Sequence, residues 1–316
     1  MSIVEFLSQP VWHRLGLTLV HFLWQGLVVA VIACVVVRLL GLKRGSPRYA
    51  AYLLAFTAMA ACPALTFIAL DRLTERPATV AVPTQEIESP APISYTLAPT
   101  LSPTPARRPG EAHEPIALAS DAPPRMRLQD ALQTSLPWVL MGWMGGVLIL
   151  SVRLLLGFVG VRRWRRDLEP LTNGLEARVG LLSERLGMPG FSRVFVSRRA
   201  LEVVALGYLR PLVLLPAVMV TQMPPEMLEA VIAHELAHIR RFDLWVNLAQ
   251  RVVETVLFYH PAVWWLSSRV RNERELCCDE LAVNATGERL MYASALENAG
   301  RVRLAAIRQP ALAVGL

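Results

Sequence analysis

Charged residues are scarce in this chain of 316 residues: only 18% are Asp, Glu, Lys or Arg, while 54% are hydrophobic. The mean hydropathy of +0.40 is too high for an ordinary soluble protein. The shortage is local, because residues 50–70 carry no charge and residues 16–40 and 138–161 carry almost none. Each run is long enough to cross a hydrocarbon core, which needs about 20 residues. The sequence therefore predicts three transmembrane helices, at about 16–40, 50–70 and 137–161.

Cysteine is also scarce, and its four occurrences argue against a disulfide-stabilised fold. Cys34 and Cys62 lie in the apolar runs, where a small apolar residue is ordinary. Cys277 and Cys278 are adjacent, and neighbours on a helix diverge by about 100°, so at most one of them could face a metal ion. We predict a packing role for both.

No nucleic-acid-binding motif is visible, and the formal net charge of +7 does not by itself imply one. Part of the positive surplus comes from arginines that directly follow the third apolar run. Attraction to anionic lipid headgroups explains those arginines more simply. We therefore expect membrane lipid as a partner, and no direct nucleic-acid partner.

Basic residues also predict the orientation in the membrane. Residues 41–48 contain three basic residues and no acid, and residues 162–166 contain four arginines. The positive-inside rule places both clusters in the cytoplasm, and the two placements agree because two spans separate them. We expect a multi-pass protein of the inner (plasma) membrane, with its N-terminus outside and a cytoplasmic domain at 162–316.

The segment 71–136 between the second and third runs is then extracytoplasmic. It holds 11 of the 23 prolines, no cysteine and no sustained periodicity. Such a composition resists forming a core, so an extended, largely disordered loop is predicted. A passive tether is favoured over a binding role.

The sequence His234-Glu235-Leu236-Ala237-His238 spells H-E-x-x-H. Two histidines at i and i+4 share one helical face, so both imidazoles can reach a single Zn²⁺. Glu235 would lie beside the metal, placed to take a proton from the attacking water. Proline at positions 224–225, followed by a periodic apolar stretch, predicts a helix that begins one turn or more before the motif. The pattern indicates a metallopeptidase.

A catalytic zinc needs a third protein ligand. Glu275 and Asp279 are again i and i+4, so one carboxylate could bind the metal while the other orients a ligating histidine. We favour Glu275 as the ligand; the alternative is a surface charge paired with Arg271, four residues earlier. Cys277 or Cys278 is the weaker choice.

Two further residues could accept the second imidazole N–H of a ligating histidine: Asp243 and Asn247. Both could equally be solvated helix residues. His260 precedes a proline, and a residue in that position tends to lie at a helix boundary. We therefore favour a structural role for His260, with stabilisation of the oxyanion as a minor alternative.

The short apolar runs and the helical periodicity in the rest of the 162–316 domain predict an α+β fold. Val194–Ser197 and Leu212–Leu215 are short apolar runs typical of strands, and as a hairpin their exposed edge could hold a substrate peptide. Helices are expected at roughly 175–187, 224–241, 243–258, 262–283 and 286–300. The apolar stretch 252–268 is expected to be buried or to skim the membrane, because it must return to the side of the motif.

Several stretches together resemble the BlaR/MecR-type antirepressor membrane metallopeptidases. They are the motif region His234–Asp243, the aromatic stretch Phe258–Trp265, the acidic stretch Arg274–Glu280, the strand segment Gly207–Pro216 and, in the first run, His21–Gly26. Members of that family commonly continue into another span and an extracellular sensor domain, whereas this sequence stops at residue 316. A shorter member, or sensing through the proline-rich loop or a partner, would be consistent with that.

The resemblance implies a mainly α membrane protein, with three transmembrane helices and a gluzincin-like zinc peptidase domain. His234, His238 and Glu275 would be its ligands, Glu235 its base, and Asp279 a supporting residue. The usual target in the family is a cytoplasmic transcriptional repressor, cleaved after an outside signal, together with the peptidase itself. The competing hypothesis is a signalling receptor or scaffold without turnover. The sequence leaves the oligomeric state open.

Overall fold

The computed structural model of the chain describes residues 10–74, 124–165, 168–171 and 174–308. Within them the helices are α1 Pro10–Leu39, α2 Ser46–Thr74, α3 Pro124–Trp164, α4 Leu175–Arg185, α5 Ala217–Gln222, α6 Pro225–Arg240, α7 Asp243–Val256, α8 Pro261–Thr286 and α9 Arg289–Arg308. The strands are β1 Leu168–Pro170, β2 Val194–Ser197, β3 Val204–Leu206 and β4 Leu212–Pro216. Helix is the dominant structure, as the sequence predicts.

The first three helices are long and apolar enough to cross a membrane, over Pro10–Leu39, Ser46–Arg72 and Ser135–Val161. Their outward side chains are apolar and open to the surroundings; Leu54 in α2 and Leu148 in α3 are 72% and 65% exposed. The prediction of three such helices is confirmed. The loop expected at 71–136 is shorter at both ends, because α2 continues to Thr74 and α3 begins at Pro124; its remainder, 75–123, lies outside the described residues.

A four-stranded sheet with the order β1-β2-β4-β3 lies beside these helices in the 168–216 region. The two predicted strands are β2 and β4, but the prediction that they form a hairpin is wrong, because they pair in parallel. The 14 residues between Ser197 and Leu212 are long enough for a crossover. They contain β3, which forms a hairpin with β4. The side of β3 that faces away from β4 is an open edge of the sheet.

The turn of that hairpin requires glycine. Gly207 has φ +94°, and a Cβ there would lie 2.8 Å from the carbonyl oxygen of Arg210. Neither the backbone conformation nor the space admits another residue without strain. This turn fixes β3 at the sheet edge that faces α6.

Helix α6 forms the centre of the soluble core. Pro224 precedes it and Pro225 occupies its first turn, where a missing N–H costs nothing. Ile232, Ala233 and Leu236 on its inner face are fully buried in the cluster that also holds the sheet, α4 and α9. The opposite face carries the H-E-x-x-H residues towards α8.

The junction between α7 and α8 is inserted between α1 and α3. The Tyr259 hydroxyl donates to the carbonyl oxygen of Leu19 at 3.1 Å, and the Trp143 indole N–H donates to that of Val256 at 2.8 Å. The α7–α8 pair is therefore a helical hairpin whose tip contacts the apolar windows of two candidate spans. Within the stretch 252–268, Leu257 and His260 at the tip are buried and Val252 and Trp264 are exposed, and α8 returns to the side of the motif, as expected.

His260 stands at the tip of that hairpin and has a structural role. Its Nε2–H donates to the Leu23 carbonyl oxygen at 2.9 Å, and its Nδ1 accepts from the backbone N–H of Ala262, which caps α8. It lies 15 residues before Glu275 on the same helix, roughly 22 Å along the axis. That separation excludes the minor alternative of an oxyanion-stabilising role.

Candidate metal centre

Three electron-pair donors converge where α6 meets α8. The Nε2 atoms of His234 and His238 are 3.2 Å apart, and Oε2 of Glu275 lies 3.5 Å from each of them. The histidines are brought together by the i, i+4 spacing on α6, and Glu275 by the packing of α8 against that helix. Glu275 is thus beside the motif, whereas Arg271 pairs instead with Glu254 on α7.

The Nδ1 atoms of the two histidines point away from this centre, towards acceptors. His238 Nδ1 lies 3.0 Å from Asp243 Oδ2. His234 Nδ1 lies 2.8 Å from the Tyr292 hydroxyl, which itself donates to Asp279 Oδ1 at 2.7 Å. Because a carboxylate can only accept, we assign the protons to Nδ1. When the rings are neutral, both Nε2 atoms then present lone pairs to the same point.

The separations of the three donors fit a tetrahedral zinc ion. Zinc bonds to nitrogen and oxygen of about 2.0–2.1 Å place two tetrahedral ligands about 3.3–3.4 Å apart. The three observed separations, 3.2, 3.5 and 3.5 Å, lie close to that distance. Two imidazoles and one carboxylate also form a donor set found in catalytic zinc sites, which leave a fourth position open.

The electrostatics of the centre also favour a cation. Burial alone lowers the pKa of both histidines, but the surrounding carboxylates outweigh it and raise the pKa of His234 to about 10 and that of His238 to about 9. Burial raises the pKa of Glu275, and the two histidines reverse this and hold it below the ordinary value. Positive charge is therefore stabilised at the point where the donors meet.

Glu235 lies beside this point, on the side of the sheet. Its Oε2 accepts a hydrogen bond of 2.8 Å from the backbone N–H of Ala205, in edge strand β3. Desolvation raises the pKa of this carboxyl, which makes it a stronger base than a solvated glutamate. With Val204, His238 and Glu275 it lines a cavity of about 220 Å³, large enough for a short stretch of peptide.

Asp243 reaches His238 because the chain reverses sharply after α6. Phe242 adopts φ +58°, a left-handed conformation that a bulky residue adopts only under strain. This turn starts α7 immediately and brings Asp243, only five residues after His238, back to its ring. Of the two sequence candidates, Asp243 accepts from the imidazole, while Asn247 lines the cavity.

Sequence reasoning missed Tyr292 and the second role of Cys278. Tyr292 comes from α9, and no spacing rule connects it to the motif. The Cys278 thiol, expected only to pack, donates to Asp243 Oδ2 at 3.2 Å and lies 3.3 Å from His238 Nδ1. Burial raises the pKa of this thiol, so it remains protonated and is a poor metal ligand at neutral pH.

Comparison with known proteins identifies the family of the chain. The family model described as BlaR1 peptidase M56 matches residues 24–305. Regulatory protein BlaR1 of Bacillus licheniformis is 24% identical over 151 residues, which cover 47% of this chain and 25% of that protein. The methicillin resistance mecR1 protein of Staphylococcus aureus is 30% identical over 73 residues, which cover 23% of this chain and 12% of that protein.

The chain thus matches a quarter or less of the length of these relatives. The family model, in contrast, covers well over half of the chain and includes both the candidate spans α2 and α3 and the converging donors. A peptidase family whose members carry a metal centre accounts for the N, N, O donor set better than a chance cluster does. The chain belongs to the BlaR1 peptidase M56 family.

Proposed function

We propose that this protein is a membrane-anchored zinc endopeptidase of the gluzincin type. The observation that carries the proposal is the convergence of His234 Nε2, His238 Nε2 and Glu275 Oε2 at separations suited to tetrahedral zinc. Asp243 and the Tyr292–Asp279 pair would hold the two imidazoles in the ligating tautomer. A bound zinc would activate a water molecule and polarise the peptide carbonyl.

Glu235 would move the proton during hydrolysis. Its carboxylate lies next to the donors, and the Ala205 N–H fixes one of its oxygens, so the other is left to accept a proton from the attacking water. The same carboxyl would then pass that proton to the leaving amine. Its raised pKa suits both steps near neutral pH.

The open edge of β3 would bind the substrate backbone. Ala205 directs its N–H away from β4 to Glu235, so its carbonyl oxygen also lies on the open side of the strand. An extended peptide added along this edge would place a scissile bond beside Glu235 and the metal. The edge of β3 replaces the edge of the hairpin expected from the sequence.

We further propose that α1–α3 cross the inner membrane with residues 162–316 in the cytoplasm, as the basic clusters at 41–48 and 162–166 indicate. The substrate would then be a cytoplasmic protein. A relative named as a regulatory protein supports a role in regulation. A repressor-like target, with self-cleavage as a second reaction, is what the resemblance to the BlaR/MecR-type peptidases implies. The 71–136 segment would receive the extracytoplasmic signal or act as a tether.

Zinc content and proteolysis of the detergent-purified protein test this proposal together. We expect one zinc per chain in the wild type and in Glu235→Gln, and weakened or lost zinc in Glu275→Ala. Glu280→Ala, an exposed glutamate on the same helix, is the matched control and should retain zinc. Denatured casein should be cleaved by the wild type and not by Glu235→Gln.

Two results would contradict the enzyme. If the folded wild-type protein binds no zinc when zinc is supplied, the proposed metal centre is refuted. The second result is a protein that binds one zinc per chain but cleaves neither casein nor itself, and whose signalling is unchanged in Glu235→Gln. This result would support a signalling scaffold without turnover.

A further inference from the structure

Arg153 is an isolated charge inside the apolar window of α3. It lies eight residues before Val161, the end of that window, or roughly 12 Å along the helix axis. Its side chain is exposed, and within the described residues no hydrogen bond or ion pair holds it. An unpaired charge at membrane depth is costly, and such residues usually mark a site for an ion or ligand.

Arg153 borders a cavity of about 280 Å³ between α3 and the α7–α8 hairpin. The α3 wall adds Leu150 and Leu154, and the hairpin adds Arg251 from α7 and Trp264 from α8. The cavity therefore combines two guanidinium groups with apolar walls. Such a lining matches an amphiphilic ligand that carries negative charge at one end.

The one carboxylate that lines the cavity, Glu254, already accepts hydrogen bonds from three other side chains. Its Oε1 accepts from the Ser267 hydroxyl at 2.6 Å and from Arg271, and its Oε2 accepts from Arg251 at 3.0 Å. It is also buried, with only 3% of its side chain exposed. Arg153, Arg251 and Arg271 against one glutamate leave a surplus of two positive charges at and beside the cavity.

We propose that this cavity binds the phosphate of an anionic phospholipid, with Arg153 and Arg251 as its ligands. Arginine matches phosphate oxygens with its planar fork of N–H donors. The acyl chains would lie along α3, where Leu155 and Leu156 are more than 60% exposed. The inference depends on the proposed membrane placement of α3, but not on the peptidase activity.

A bound lipid would link the span to the hairpin that carries Glu275, one of the three converging donors. Arg251 lies on α7, which begins at Asp243, and Glu254 joins α7 to α8, which carries Glu275. The phosphate would thus connect α3 to the helices that hold Asp243 and Glu275. We expect the site to stabilise this packing.

Native mass spectrometry with added lipid tests the site on the full chain in detergent. The first phosphatidylglycerol should bind the wild type at least about tenfold more tightly than phosphatidylcholine. Arg153→Ala should lose about tenfold of that affinity, the loss expected for one charge-assisted hydrogen bond. Arg153→Lys should retain part of it, and the control Arg301→Ala, an exposed cation on α9, should stay within about twofold.

Unchanged phosphatidylglycerol binding in Arg153→Ala would overturn the proposal. Displacement of the lipid by millimolar inorganic phosphate would also overturn it and indicate a soluble phosphate ligand. Zinc content measured on the same samples reports folding separately, so that loss of lipid with zinc retained is specific to this site. If Arg153→Ala does not fold, Arg251→Gln provides the same comparison.

Discussion

The contact between Gly26 and His260 gives the sharpest prediction, because the histidine ring has no freedom to move. His260 is 3% exposed, and both of its ring nitrogens are hydrogen-bonded, one to the Leu23 carbonyl oxygen and one to the Ala262 N–H. A Cβ on Gly26 would lie 2.8 Å from His260 Nε2. Gly26→Ala must therefore displace the ring and break at least one of these bonds.

The expected cost is about 2–4 kcal/mol. Forcing a methyl group into a packed site costs about 1–3 kcal/mol. Loss of a hydrogen bond between membrane helices adds about 0.6–2 kcal/mol. Equilibrium unfolding by SDS in dodecyl maltoside micelles, followed by circular dichroism, measures this difference. Gly145→Ala in α3 is the control, since nothing lies within 4 Å of the added Cβ, and it should change the free energy of unfolding by less than about 0.5 kcal/mol.

A double-mutant cycle isolates the contact itself. In a His260→Ala background the space next to Gly26 is empty, so Gly26→Ala should then cost no more than about 0.5 kcal/mol. If the two substitutions are additive instead, the ring does not lie against Gly26, and the inserted α7–α8 hairpin is misplaced. If Gly26→Ala has the same free energy of unfolding as the wild type, the same reasoning is refuted directly.

Three further predictions concern the metal centre and the buried polar groups. Tyr292→Phe should lower the Zn²⁺ affinity about 10–100-fold in a chelator competition, because His234 loses its supporting hydroxyl. The control Tyr52→Phe on α2 should leave the affinity unchanged. Equal affinities in the two variants would exclude a supporting role for Tyr292. Glu254→Gln removes the buried partner of Arg271 and should lower the free energy of unfolding in the same SDS assay by about 3–5 kcal/mol. Glu297→Gln, at an exposed ion pair, should lower it by less than about 1 kcal/mol. Similar losses in the two variants would contradict the burial of Glu254. Maleimide at pH 7.5 should leave Cys278 unmodified until the protein is unfolded, because the thiol is inaccessible and burial raises its pKa; rapid native labelling, detected by peptide mapping, would show an open centre.

The pairing of His234 with His238 could be predicted from the sequence because it is a local property of a helix. The i, i+4 spacing places both rings on one face whatever surrounds the helix. The apolar runs likewise predict membrane helices from composition and length alone. Glu275 was reachable by the same reasoning about spacing and chemistry, although only the packing of α8 on α6 places it within 3.5 Å of both rings.

The sequence by itself thus determined the three apolar helices, the histidine pair with its glutamate, and most helix boundaries, since each depends on residues within a few turns of one another. Only the tertiary structure decided the parallel pairing of β2 with β4, the role of Tyr292 and the contact of His260 with α1. These features join residues from 19 to more than 200 positions apart. Contacts of that kind depend on how whole elements pack, and no local periodicity records them.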